Sequence, residues 1–304
     1  MIRRLGIAIS IITGAPMIVA WFISQRVLHP TPKLEDHSLD DFDLPAEEIS
    51  FRSRDGTRLS GWFVRAPADG PAPAVVLSHG HGRSRAELLP HADFLHRAGY
   101  AVLAFDYRHR GTSEGAEVTM GLREQDDLLG AIDELAARPD IDAGRMGVLG
   151  LSMGGVVGML VAARDERVRA LVAESPYASP DAIMTRALRH FYHLPSFPFA
   201  YVGRWLIERR LGEPLAVPDA VGVVREISPR PLLFIADGDD AVVGPEEAQR
   251  LYDAAGEPKQ LWLIPEAGHS RGWQAAPAEY ERRVLEFLGA ALAQRAESPV
   301  HAQR

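Results

Sequence analysis

Between residues 46 and 293 the apolar positions fall into two kinds of run that alternate along the chain. Glu48–Arg52 and Leu59–Val64 alternate apolar and polar residues on either side of Asp55-Gly56, the pattern of an antiparallel hairpin. Ala74–Ser78 is apolar almost without a break, as a strand covered on both faces would be. Arg85–Arg97 carries helical spacing and stops at Gly99, and Tyr100–Phe105 follows as the next buried strand. The exchange then repeats: a helix over Leu122–Ala137, a strand over Arg145–Leu151, a helix over Met153–Ala163 and a strand over Val168–Ala173. After an interruption come a strand at Leu232–Ala236, a helix at Glu246–Ala255, a strand at Gln260–Ile264 and an amphipathic helix at Ala278–Ala293. Strands separated by helices predict an α/β fold, a mostly parallel central sheet with helices on both faces. Such sheets place their ligands at the carboxyl ends of the strands.

The interruption is Ser179–Glu226. It holds His190-Phe191-Tyr192-His193-Leu194-Pro195-Ser196-Phe197-Pro198-Phe199, then Tyr201 and Trp205. It predicts a helical lid insertion over the strand ends, at about 178–227. Packing against the body is the simpler use of these aromatics, and contact with a substrate is the alternative.

The N-terminus follows a different pattern. Leu5–Ser24 is 20 residues without a charge, preceded by Arg3-Arg4 and followed by Arg26, and at about 1.5 Å per residue it matches a bilayer core of ~30 Å. Trp21 and Phe22 stand where an interfacial anchor would be, although Gly14 and Pro16 weaken the helix. Residues 1–28 therefore read as a transmembrane anchor, with a cleaved signal peptide and a soluble helix as rivals. Arg3 and Arg4 favour an inside N-terminus and a body on the outer, periplasmic or extracellular, side, against Arg26 and Lys33. Residues 29–45, with Pro30, Pro32 and Pro45, read as an extended linker; 46–293 form the folded domain and 294–304 a C-terminal tail.

Composition narrows the function. A formal net charge of -8 and the lack of a basic block interleaved with aromatics leave no electrostatic footprint for nucleic acid. With 0 cysteines there is no disulfide, no thiolate metal site and no cysteine nucleophile.

The chemistry concentrates at strand ends. Gly147-Val148-Leu149-Gly150-Leu151-Ser152-Met153-Gly154-Gly155 reads as strand, sharp turn and helix, with glycines two residues either side of Ser152, the context that lifts a nucleophilic hydroxyl clear of the backbone. A glycine-rich turn with a capping serine is the plainer reading of the same residues. A serine nucleophile needs a base, an orienting acid and donors for the developing oxyanion. His79-Gly80-His81-Gly82 follows the strand ending at Ser78, so the N–H of His81 pairs with that of Met153 as an oxyanion hole; a His79/His81 metal pair is the rival, without a third ligand fixed by spacing. His269, after the strand Gln260–Ile264, suits a general base. The loop Ala236-Asp237-Gly238-Asp239-Asp240 offers three carboxylates, of which Asp240 is the choice, with Asp237, Asp239 and Glu174 as alternatives.

These residues together resemble the α/β-hydrolase superfamily over roughly 46–293, and more narrowly its serine-hydrolase branch with N-terminally anchored, uncharacterised bacterial members. The resemblance is carried by His79-Gly80, Asp106-Tyr107-Arg108-His109-Arg110-Gly111-Thr112-Ser113, Gly150-Leu151-Ser152-Met153-Gly154-Gly155 and Gly268-His269. It implies the catalytic order Ser152, Asp240, His269. The family's acid lies four residues after a His-Gly and three before a valine; Ala236-Asp237 replaces that dipeptide here, while Asp240 keeps both offsets. Asp106 and Arg108 are implied to brace the loop beside the nucleophile. The implied activity is that of an esterase, thioesterase, lipase or aminopeptidase-like hydrolase on a small-molecule or lipid-like acyl ester, with no metal or organic cofactor. An acyltransferase using the same acyl-serine, and a membrane-tethered binding module without turnover, are the alternatives.

Overall fold

The alternating runs resolve into one sheet. In the computed structural model, which describes residues 16–33, 36–215 and 219–293, eight strands lie in the order β1-β2-β4-β3-β5-β6-β7-β8. They are β1 (Ala46–Arg52), β2 (Arg58–Val64), β3 (Ala72–Ser78), β4 (Ala101–Phe105), β5 (Ile141–Leu151), β6 (Val168–Glu174), β7 (Leu232–Asp237) and β8 (Lys259–Ile264). The β1–β2 and β2–β4 pairings are antiparallel and the rest parallel, so β2 alone runs against the others. Successive side chains along a strand point to opposite faces, and the core is accordingly split in two. Val76, Val148, Leu171 and Phe234 pack on one side with the helices Glu124–Ala136, Met153–Ala162 and Pro245–Ala254. Val75, Leu77, Leu149, Val172 and Leu233 pack on the other with the helices Leu89–Arg97 and Pro277–Leu292.

The two boundaries that differ most from those read in the sequence have local causes. The helix expected over Arg85–Arg97 is a 3-10 turn, Arg85–Leu88, followed by an α-helix, Leu89–Arg97. Pro90 accounts for the break, because a continuous helix would need its missing N–H to bond the carbonyl of Ala86. β5 begins at Ile141, ahead of the apolar run, because Ile141 pairs with Ala72 across a bulge before the regular register resumes at Met146.

The insertion is helical, as expected, with helices Pro180–Tyr192 and Ser196–Leu211 and a short helix Ala220–Val223; residues 216–218 of it lie outside the described residues. It leaves the sheet after β6 and returns at β7, which is paired with β6. Ion pairs join it to the body: Arg123–Glu213 at 2.5 Å, Arg210–Glu117 at 2.6 Å, and Arg186–Glu246.

Of the expected anchor, residues 1–15 lie outside the described residues, and the tail 294–304 does too. Among the described residues no helix is long and apolar enough to cross a membrane. Residues 16–28 are helical. Ala20, Ser24 and Leu28, spaced four apart, form its buried stripe; Leu28 joins Ile207, Leu211 and Leu215 in a small core, and Ser24 Oγ contacts the Gly203 carbonyl at 3.4 Å. Met17, Ile18, Trp21 and Phe22 of the same helix are exposed.

The segment read as a linker is held at several points. The Pro30 carbonyl accepts Arg110 Nη1 at 2.9 Å, Asp36 pairs with Arg271, and the His37 ring meets Trp273 edge-on at 6.3 Å. Its described residues thus form a strap held to the loop after β4 at one end and to the loop after β8 at the other, with residues 34 and 35 outside the described residues.

Candidate active site

The β3, β5, β6, β7 and β8 ends are contiguous in the sheet, so the loops that leave them share one edge. At the end of β5, Ser152 sits at φ 51°, ψ −115°, a conformation a non-glycine residue holds only when its surroundings impose it. The surroundings are the two glycines. A Cβ on Gly154 would lie 2.0 Å from the Ser78 carbonyl oxygen, and one on Gly150 would lie 2.4 Å from the Gly154 carbonyl. The turn thus closes tightly enough to start the helix Met153–Ala162 at once, and the Ser152 N–H is tied to the Glu174 carbonyl at 2.8 Å.

The structure brings Ser152, His269 and Asp240 together. Ser152 Oγ is 3.0 Å from His269 Nε2, and His269 Nδ1 is 2.7 Å from Asp240 Oδ2. A carboxylate can only accept, so Nδ1 carries the proton and Nε2 is left to accept from the hydroxyl. Asp240 Oδ1 takes the N–H groups of Val242 and Val243 at 2.8 and 2.9 Å. Burial works against the charge on Asp240, but His269 and these two N–H groups outweigh it and hold its pKa below the usual value.

The alternatives for the acid fall elsewhere. Asp239 is exposed. Glu174 is buried and accepts Tyr280 Oη at 2.6 Å and the Gly272 N–H at 2.8 Å. Asp237 is buried and 2.6 Å from Ser175 Oγ.

His81 and Met153 are placed on adjacent strand ends, since Ser78 of β3 is in register with Gly150 of β5. Met153 opens its helix, so its N–H has no intrahelical acceptor. The two histidines of the loop are fixed separately. His79 Nε2 accepts the Tyr107 N–H at 3.0 Å, which leaves Nδ1–H to donate to the Gly80 carbonyl at 2.8 Å. His81 Nε2 donates to the Val27 carbonyl at 2.9 Å, and desolvation pushes its pKa down to about 4, so the ring is neutral. Among the described residues no three His, Cys, Asp or Glu are grouped to hold a metal ion, which leaves the His79/His81 pair without further ligands.

The Asp106–Ser113 stretch braces this edge. Asp106 Oδ1 accepts the Arg85 N–H at 2.8 Å, and Arg110 donates to the carbonyls of Arg83, Gly82 and Pro30 at 3.0, 3.1 and 2.9 Å. Arg108 is buried against Asp127, 2.6 Å away, and Asp55, 2.8 Å away.

Sequence reasoning passed over Ser175. It follows β6, and its Oγ lies 3.0 Å from Asp240 Oδ2 as well as close to Asp237. The available signal was its place directly after a predicted strand, the rule that had found the other groups.

Comparison with known proteins bears on the family and the fold. The model of the family described as serine aminopeptidase, S33, matches residues 69–209. The uncharacterized protein YfhR of Escherichia coli K12 is 30% identical over 253 residues, covering 81% of this chain and 82% of its own. The chain belongs to the α/β-hydrolase superfamily. Within that superfamily a solved structure, the Pyrococcus furiosus esterase Pf2001, superposes with a TM-score of 0.72 at 27% identity, over 86% of this chain and 99% of that one. A further relative, the polyketide transferase ATR5 of Stachybotrys chlorohalonatus, is 25% identical over 294 residues, covering 81% of this chain and 97% of its own. In this α/β hydrolase the candidate residues lie at the carboxyl-end edge of the sheet, where such folds place their ligands.

Proposed function

We propose that the protein is a serine hydrolase that cleaves a carboxylic ester through an acyl-serine intermediate on Ser152. The observation that carries this reading is the hydrogen-bond chain from Ser152 Oγ through His269 to buried Asp240. His269 Nε2 takes the hydroxyl proton as Ser152 Oγ attacks the carbonyl carbon, and the N–H groups of His81 and Met153 receive the charge on the carbonyl oxygen. The proton then passes to the leaving alkoxide as its bond to carbon breaks. Water, deprotonated by the same imidazole, attacks the acyl-serine and restores the hydroxyl. Asp240 holds the tautomer that leaves Nε2 free and balances the imidazolium. Ester is preferred over thioester or amide because the Pyrococcus relative is named an esterase.

The relative named a polyketide transferase supports a second reading, in which an alcohol or amine replaces water. A fluorophosphonate probe and a chain-length series of p-nitrophenyl esters, with and without added alcohol, separate the readings. The expected result is one label, on Ser152, and release of free acid. Acyl transfer to the alcohol as the main product would favour the transferase, and absence of both label and turnover would leave a non-catalytic binding module.

We also infer that the N-terminal segment holds the protein at a membrane, on the strength of its uncharged run and the exposed Ile18, Trp21 and Phe22. Two truncations test this. Removing residues 1–15 is expected to release the protein from membranes with activity intact. Removing residues 1–28 also uncovers Ile207, Leu211 and Leu215 and frees His81. At about 1.5–3 kcal/mol for the burial of Leu28 alone, this is expected to lower Tm by roughly 5 °C or more and to reduce kcat. Equal Tm and kcat for the two truncated proteins would show the packing of residues 16–28 to be idle.

A further inference from the structure

Behind His269 the side chains raise a question of proton count. Ser175 Oγ has three neighbours: Asp237 Oδ2 at 2.6 Å, Asp240 Oδ2 at 3.0 Å and the N–H of Ser270 at 3.2 Å. A hydroxyl donates one proton and accepts at two lone pairs. The Ser270 N–H uses one lone pair. Were Asp237 and Asp240 both ionised, the single hydroxyl proton could satisfy one of them, and the other would face a lone pair at hydrogen-bond distance. Every valence is met if Asp237 carries a proton on Oδ2: Asp237 donates to Ser175, and Ser175 donates to Asp240.

The remainder of the Asp237 environment agrees. Its other oxygen, Oδ1, is buried with no hydrogen-bond partner, which is far cheaper for the carbonyl of a neutral acid than for a carboxylate. It borders Gly272 together with a second buried carboxyl, since a Cβ on Gly272 would lie 3.1 Å from Glu174 Oε1 and 3.2 Å from Asp237 Oδ1. Glu174 in turn is met by the Tyr280 hydroxyl and the Gly272 N–H, and Asp237 Oδ2 also lies 3.4 Å from the Arg271 N–H. Burial pushes Asp237 up, to about 6, the direction in which a neutral acid is favoured, and burial likewise pushes Glu174 well above its usual range.

We infer that Asp237 is a positioning residue, a buried neutral acid that turns the Ser175 hydroxyl toward Asp240 and so fixes the carboxylate oxygen that receives His269. This rests on the proposed Ser152 mechanism. The carboxyl belongs to this chain's departure from its family pattern, where Ala236-Asp237 stands in place of His-Gly.

The test is a set of variants assayed on a p-nitrophenyl ester. Asp237→Ala leaves Ser175 free to turn away, and kcat is expected to fall by about ten- to a hundredfold with KM within about twofold, the scale seen when an orienting partner is lost. Asp237→Asn keeps a donor without an ionisable proton and is expected to recover kcat to within about threefold of wild type, because its amide N–H can replace the acid proton. Ser175→Ala should lose as much as Asp237→Ala, and the double variant should lose no more than about twofold beyond that, because the two act through one contact. A purely structural role would move Tm without this split between kcat and KM. Asn as poor as Ala, Asp237→Ala within about twofold of wild type, or losses that multiply in the double variant would each overturn the inference. If Asp237→Ala does not fold, Ser175→Ala decides alone, and kcat within about twofold of wild type overturns it. A labelled, active wild type with an unresponsive Asp237 removes this inference only. A wild type that takes no fluorophosphonate and turns over no ester removes the proposed function and this inference with it.

Discussion

Ser152→Ala is expected to abolish ester turnover, with kcat down by about a millionfold, the scale on which loss of a serine nucleophile has been measured in a triad enzyme. The substitution takes away one hydroxyl and nothing from the core. Its backbone remains tied through the Ser152 N–H to the Glu174 carbonyl, and the positive φ costs alanine what it costs serine. The variant should therefore keep the wild-type Tm and circular dichroism, and it should take no fluorophosphonate label. What remains is catalysis by the N–H groups of His81 and Met153 and by substrate binding, which alone exceeds the rate in water. Turnover above roughly a thousandth of wild type in a folded variant would mean that another residue attacks the ester.

The second large effect is expected at Asp240. In Asp240→Asn the two N–H groups of Val242 and Val243 compete with His269 for one remaining carbonyl oxygen. If the amide keeps its oxygen on those backbone donors, its NH₂ points at His269 Nδ1. The imidazole must then accept at Nδ1 and carry its proton on Nε2, where it can no longer take the proton of Ser152. The negative charge that balances the imidazolium is lost at the same time. A fall in kcat on the order of 10⁴ is expected, the value for the same change in a serine protease. Asp239→Asn removes an equal charge from the same loop, but Asp239 is exposed and should stay within about tenfold of wild type. Glu174→Gln should do likewise, because Glu174 bonds Tyr280 and Gly272 rather than His269. If Asp240→Asn turned over ester normally and Glu174→Gln did not, the acid would lie on β6.

These assignments were legible because each rests on a local constraint. Gly150 and Gly154 announce the turn at Ser152 because no side chain fits against Ser78 and the Gly154 carbonyl, and such crowding shows as glycine in the sequence. Asp240 and His269 show as polar residues just past apolar runs. Ser175 did not stand out, because its meaning depends on β6 lying beside β7, and the order of strands in the sheet is not written in the periodicity of any one of them.

The N-terminal run carries two signals at once. Twenty uncharged residues fit a bilayer by length, and the competing signal was Ala20, Ser24 and Leu28 at four-residue spacing, which shows as a packing stripe only when Gly203, Ile207 and Leu211 are set opposite it. The tethering of Val27 and Pro30 to the body could not be read either, because both act through backbone carbonyls that any residue would supply.

The insertion between β6 and β7 has a consequence for how such a protein changes over time. Its two ends are carried by neighbouring strands that pair with each other whatever lies between them. The ion pairs Arg123–Glu213 and Arg210–Glu117 are partly or largely solvated, and contacts of that kind contribute little apiece. The exposed Phe191, Phe197, Tyr201 and Trp205 of the insertion can therefore be exchanged without shifting the register that sets Ser152 against His269. A lineage can rewrite that exposed face while Ser152, Asp240 and His269 inherit their positions unchanged.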